Sequence, residues 1–414
     1  MIGLLKSFFY DFRNTFTVDD RMITILATSL LLPWPVGIVG TVIVGIHATR
    51  HGNFKIIMQR FKAGRVLFVL PFFCLIVALF TQNWLGVFIS MGMEMVFLAI
   101  LYYRFYINKH LFEIIVDMMI ILSIFSVVFA IFEQLYYFLN VDAMHSYFDI
   151  QNKPAYRVKA FFMNANYYDV MIMYIEAMCV YRFMEVKKTH KRILYVLAGL
   201  ANIFALYLTG GRMAWLCIAA GVLVMILANR WYKTFATFTV LIGGGIGALL
   251  LKPNLIPRLA THGLAVGRRS EIWRTARLII HDHWLCGQGP LGYYTVWPRY
   301  LNEYKAVYGT KMLEKYKTLG ISAPHSHSLL YEPLISFGAI GVIMLLVYLF
   351  DALCRHIRLF SKHLDRGMGA LILGVSVMTI IFCLTDFPML FASTGGLYLL
   401  LIGSADCYGK GVEE

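Results

Sequence analysis

Apolar runs of membrane-spanning length recur along almost the whole of this sequence, and a chain patterned in that way has one broad solution. In hydrocarbon every backbone amide must find its partner within the protein, so runs of about 20 apolar residues become helices. The runs cover residues 22–48, 66–81, 84–102, 112–139, 166–183, 193–209, 213–229, 234–251, 329–350, 367–386 and 388–405. Pro33 and Pro35 fall near the middle of the first. Proline breaks a helix interior, so that run is read as a tight pair of short spans. The expectation is an all-α integral membrane protein of about 12 transmembrane helices, a single polytopic membrane domain over residues 1–414. Composition agrees: only 14% of residues are charged, against about 25% in a soluble domain.

Residues 1–21 are interrupted by Lys6, Asp11 and Arg13 and lack the continuous apolar core of a cleaved signal peptide; they read as an amphipathic segment on the membrane surface. Orientation follows from the basic loops. Arg50, Lys55, Arg60, Lys62 and Arg65 crowd 49–65 without an acid, and 182–192 holds five basic residues against Glu185 alone. Arg230 with Lys233, and Arg355 to Arg366, fall on the same side by parity. The positive-inside rule makes that side, and both termini, cytoplasmic. The net charge of +14 therefore reflects topology rather than a nucleic-acid partner.

Two loops occupy the opposite face, 140–165 and 252–328, the second lying between the ninth and tenth spans. The larger is also basic, and since long loops are exempt from the orientation rule, an anionic ligand on the outer face is the natural reason. Of seven cysteines only Cys286 falls there, with no CxxC pair or His-rich spacing, so neither a disulfide framework nor a structural zinc site is expected. Glu94, Asp117, Glu133, Asp169 and Glu176 lie within spans; such acids are costly in lipid and should face the bundle interior or an interface.

Three outer stretches offer chemistry. Arg212, after Gly210 and Gly211, sits in a short turn from which it either points into a cavity or snorkels to the interface. In 267–281, positions 272, 276, 279 and 280 are apolar at helical spacing, with Arg274, Arg277 and His281 on the other side. This reads as an amphipathic helix on the outer membrane surface with Trp273 near the headgroups; Arg268 and Arg269 at its start suit a diphosphate, or else lipid phosphates. Finally, His325 and His327 stand where the large loop returns to the membrane. A neutral imidazole there suits a general base. A His–x–His pair also suits a metal, but no further acid or histidine cluster is evident in the sequence to complete a site.

At these residues the chain resembles the O-antigen ligase/polymerase superfamily of membrane glycosyltransferases. His327, Ser328, nine residues, Gly338 and Gly341 match that family's His–(Asn/Ser/Gln)–x9–Gly–x–x–Gly signature. Arg212 lies in a Thr–x–Gly–Arg turn, Arg269 in an Arg–x–x–x–Trp stretch, and Arg157 precedes an Asn164–Ala–Asn166 run. Gly211 replaces the usual serine, which would loosen the arginine's turn, and Ala165 the usual proline. The resemblance implies a donor glycan on undecaprenyl diphosphate and, as acceptor, a sugar hydroxyl of lipid A-core or another surface glycan. It gives Arg212 and Arg269 to the diphosphate, with Arg268 and Arg157 as lesser candidates. His327 would be the general base, and His325 would orient an acceptor or the other histidine. The reaction would be metal-independent and inverting, without a cofactor, at the extracytoplasmic face of a bacterial inner membrane. A repeat-unit polymerase of the same superfamily is the alternative; a transporter or flippase would place its charges near the bilayer midplane instead.

Overall fold

The computed structural model describes residues 2–50, 54–140, 156–251, 268–318 and 325–408. Among these, every regular element is helical. After α1 (Ile2–Asn14), a capping box between Thr17 and Asp20 starts α2 (Val18–Ser29), and the Pro33 turn separates it from α3 (Trp34–Arg50). The bundle continues through α4 (Phe54–Arg60), α5 (Lys62–Phe80), α6 (Trp84–Tyr106), α7 (Lys109–Asn140), α8 (Ala165–Glu185), α9 (Thr189–Thr209), α10 (Arg212–Ala228) and α11 (Tyr232–Leu251). Four short helices follow: α12 (Arg268–His283), α13 (Gly292–Val296), α14 (Leu301–Tyr308) and α15 (Thr310–Thr318). Then α16 (Tyr331–Ser361), α17 (Arg366–Cys383) and α18 (Leu397–Gly403) return to the bundle.

Among the described residues six helices, α5, α6, α7, α9, α16 and α17, are long and apolar enough to cross a membrane, and the chain is a multi-pass membrane protein. The six fall short of a dozen for physical reasons. α10 has only 17 residues. α8 has the length but carries Asp169, Glu176, Arg182 and Glu185, and it is buried without interruption from Tyr167 to Cys179. Such a helix is screened from lipid by its neighbours, so charge is tolerated where it is paired. Arg182 meets Asp117 of α7 at 2.6 Å and Glu113 at 3.0 Å.

The run at 388–405 is not the continuous helix its hydropathy predicts. A 3₁₀ turn at Pro388–Leu390 and a π turn at Ala392–Gly396 precede α18, which has seven residues, and a further 3₁₀ turn at Ser404–Tyr408 follows. Pro388 interrupts the helical ladder, while Thr394 Oγ1 donates to the Pro388 carbonyl. Ser393 to Gly396 are buried, where irregular backbone can be satisfied by protein rather than exposed to lipid.

Residues 268–318 do more than lay one helix on a surface. Ile272, Ala276 and Ile279 of α12 form a separate small core with Tyr293, Tyr304 and Tyr316. Glu271 anchors it, accepting from Tyr304, Arg274 (2.8 Å) and Lys315 (3.2 Å). Burial works against the Glu271 charge, but those donors outweigh it and hold its pKa below the usual range.

This cap is clipped into α16 at a break in the helix. Gly338 has φ 60° and ψ −177°, a region open essentially to glycine alone. The backbone groups freed by the break are taken by 284–288. Ala339 N–H donates to the Trp284 carbonyl (2.7 Å), Ile340 N–H to Leu285 (3.2 Å), and Gln288 N–H to Ile335 (2.7 Å). The strands of chain approach so closely that a Cβ on Gly287 would lie 2.6 Å from Gly338 N, and one on Gly338 would strike Cys286 and Leu285. Gly338→Ala is therefore expected to destabilise the fold by roughly 3 kcal/mol, read as a drop in the thermal midpoint in detergent. Gly92→Ala, where nothing lies within 4 Å of the added carbon, is the comparison. Equal midpoints would show that the clip contributes nothing.

Candidate active site

The histidine loop is held from three directions. Ser326 N–H donates to Glu332 Oε2 at 2.6 Å, from the first turn of α16. The Ser326 carbonyl accepts Trp273 Nε1–H at 3.1 Å, from α12. Leu329 N–H donates to the Cys383 carbonyl at 2.7 Å, at the end of α17. Just ahead of α16, Ser328 Oγ accepts the Leu330 and Tyr331 N–H groups at 3.2 and 3.3 Å. These ties hold His327 at φ 52°, an unusual conformation for a non-glycine residue that needs such support. Trp273 is thus a strut for the loop, not the headgroup anchor its position on an amphipathic face suggests.

The loop presents its histidines to Asp386, just beyond α17. His327 Nδ1 lies 2.8 Å from Asp386 Oδ1, which also accepts Phe387 N–H at 2.8 Å. Asn166 Nδ2 donates to Oδ2, and His325 Nε2 lies 3.6 Å from Oδ1. Burial alone would raise the Asp386 pKa, but the His327 hydrogen bond and the His327, His325 and Arg269 charges outweigh it and hold it well below the carboxylate range. A carboxylate only accepts, so the His327 proton sits on Nδ1 and Nε2 is left free. Its ring is 19% exposed against 1% for His325, so only His327 can meet a substrate.

His325 instead receives the His327 backbone N–H on Nδ1, at 3.2 Å. Burial first, then the His327 and Arg269 charges, lower its pKa to about 4 against the pull of Asp386. Unfolded, it titrates near 6.5, so between those values the unfolded chain takes up a proton that the folded chain refuses. The stability present above pH 6.5 is therefore lost as pH falls toward 4. Thermal midpoints followed across that window should fall more steeply for the wild type than for His325→Asn; parallel curves would dissociate His325 from this loss.

Arginines gather on the same end of the bundle. Arg157 donates from Nε to the Thr209 carbonyl (2.7 Å) and from Nη2 to Asn166 (2.8 Å) and Asp169 (3.3 Å). Its segment is fixed by Glu133, which accepts Ala160 N–H at 2.8 Å and Tyr156 O–H at 2.6 Å. Arg212 opens α10, and its Nη1 is buried with no hydrogen-bond partner, a donor directed at nothing the protein supplies. Arg269, in the first turn of α12, has its pKa lowered by burial and by the Arg212 and Arg157 charges, with Asp386 opposing. The Arg268 side chain lies outside the described residues, as do 141–155, 252–267 and 319–324. Gly211 does not leave a loose turn. Thr209 Oγ1 donates to Asp169 and accepts Gly211 N–H at 3.2 Å, and a Cβ at 211 would strike the Asp169 carboxylate, so serine is excluded where Asp169 sits.

Asn164 caps α8 by accepting Asn166 N–H at 2.8 Å, which aims the Asn166 amide at Asp386. Gly338 and Gly341 lie in α16, outside this hydrogen-bonded group. Asp386 itself was not singled out by sequence. It also overturns the expectation that no acid completes a metal set: ligand atoms of His325, His327 and Asp386 lie within 4.8 Å of one another. All three are committed to hydrogen bonds or to each other, and Arg269 adds positive charge beside them, so the group fits a cation poorly.

Fold and site together define a multi-pass helical membrane protein with a His–Asp pair and an arginine cluster at one end of the bundle. Residues 197–346 match the model of the O-antigen ligase family, Wzy_C. Members of this family are glycosyltransferase-like enzymes acting on lipid-linked glycans. The match includes Arg212, Arg269 and His327 but neither Arg157 nor Asp386. No curated protein matches the chain.

Proposed function

We propose that this protein is a ligase-type glycosyltransferase that moves a glycan from undecaprenyl diphosphate to a sugar hydroxyl. The observation that carries this reading is the His327–Asp386 pair sharing one end of the bundle with three arginines, one of them holding a buried unpaired donor. His327 Nε2 takes the acceptor proton as the acceptor oxygen attacks the anomeric carbon. The bond from that carbon to the diphosphate oxygen breaks, and Arg212, Arg269 and Arg157 stabilise the departing charge. Asp386 holds the imidazole in the tautomer that leaves Nε2 free, and one displacement inverts the anomeric centre. Guanidinium groups take the part a divalent cation plays elsewhere. We further read the chain as about twelve crossings of a bacterial inner membrane, with 140–165 and 252–328 outside and both termini cytoplasmic.

The test is transfer by the purified, reconstituted chain given undecaprenyl-diphosphate-linked repeat units, with and without lipid A-core, in chelator. A single acceptor-dependent shift on a gel is the expected product. A ladder formed without acceptor would assign a polymerase, activity lost to chelator would return the His–His–Asp group to a metal, and no product would remove the transfer reading.

A further inference from the structure

A second site lies at the opposite end of the bundle. α10 runs away from Arg212, α16 runs away from the histidine loop, and α17 starts at that far end and returns toward Asp386. The C-termini of α10 and α16 therefore meet the N-terminus of α17 about 25 Å from the active-site end, the length of α10 at 1.5 Å per residue. Between them lies a shallow, open crevice of about 580 Å³, its apolar floor formed by lining residues Leu227, Ile357 and Leu373, the first two themselves exposed to the membrane side, and its basic lining by Arg230, His363 and Arg366.

Two of those basic residues occupy positions that local energetics would give to glycine. Arg230 closes α10 at φ 61° and His363 closes α16 at φ 52°. Around each, the next N–H reaches back to the carbonyl five residues earlier, Trp231 to Ile226 and Leu364 to Leu359, both at 3.1 Å. This is the left-handed helix stop that favours glycine, because a Cβ is strained there. Both stops carry a basic side chain, and both side chains line one crevice. No acid lines it and, among the described residues, no carboxylate pairs with Arg230, His363 or Arg366. The adjacent Asp365 is taken by Lys109, by Tyr408 at 2.6 Å and by Met368 N–H at 2.8 Å.

We propose that this crevice binds an anionic phospholipid of the leaflet opposite the active site, its phosphate between Arg230, His363 and Arg366 and its acyl chains over the apolar floor. Charge complementarity at a membrane boundary selects that occupant: a basic lining with an apolar floor fits neither a soluble anion nor a neutral lipid as well. The inference is independent of the transfer reaction, since none of these residues belongs to the active site.

Native mass spectrometry of the full chain, titrated with phosphatidylglycerol, with phosphatidylcholine or with inorganic phosphate, tests it. Wild-type protein should retain phosphatidylglycerol preferentially. The Arg230→Gln/Arg366→Gln double variant should bind it about thirtyfold more weakly, two basic contacts being lost. Arg230→Lys/Arg366→Lys should keep most of the affinity. If the glutamines lower the thermal midpoint in phosphatidylcholine, Leu373→Trp, which fills the crevice with its charges intact, should give the same loss. Unchanged phosphatidylglycerol affinity in the glutamine and tryptophan variants, or inorganic phosphate bound as tightly as the lipid, would overturn the proposal.

Discussion

Alanine at position 327 is expected to lower glycan transfer by about 10²- to 10⁴-fold, the range a positioned general base contributes, with some fall in the thermal midpoint because the buried Asp386 carboxylate loses a partner. The ring packs against His325 at 4.2 Å between centroids and bonds the buried Asp386, so its loss removes the chemistry and also leaves that carboxylate short of one donor. The drop belongs in kcat, since the acceptor oxygen needs the base only as attack proceeds. A His327→Ala protein that transfers glycan at the wild-type rate would falsify the assignment of the base.

Asp386→Asn is expected to cost nearly as much, about 10²- to 10⁴-fold in kcat, although the substituted atom is almost the same size. An amide placed there can turn its N–H₂ toward His327 Nδ1. That nitrogen would then have to accept, and the imidazole proton would move to Nε2, where the base is needed free; an analogous exchange in a Ser–His–Asp triad costs about 10⁴. Phe387 N–H, which bonds the same oxygen as His327, would lose its acceptor at the same time, while the remaining amide oxygen keeps the Asn166 contact. The diagnostic is a kcat loss with KM held and the arginine cluster intact. An equal loss confined to KM would assign Asp386 to substrate binding instead.

The helical skeleton of this protein is legible because hydrocarbon leaves few options to an apolar run. Pro33 divides α2 from α3 where expected, and the signature that carries His327 lies at the junction of loop and α16. Asp386 escaped notice because it closes an apolar run and stands 59 residues from its partner; no local spacing connects them. The available signal was an ionisable residue at the end of an apolar segment, two positions before a proline. Trp273 misled for a different reason. Amphipathic periodicity reports that a face is buried, not whether lipid or protein buries it, and here protein does. The break-up of 388–405 follows from Pro388 and Gly395–Gly396, which outweigh a hydropathy average that cannot register them.

The break at Gly338 also divides α16 mechanically. Its first seven residues, 331–337, carry Glu332 and abut the histidine loop, and through the clip at 284–288 they are fastened to the cap of residues 268–318. The remainder of α16 packs within the bundle, and Asp386 belongs to the end of α17. The histidine loop spans that division: Glu332 and Trp273 hold it from the cap, while its Leu329 N–H bonds the Cys383 carbonyl at the end of α17. Base and carboxylate are thus riveted twice across the break, once through backbone and once through the His327–Asp386 bond.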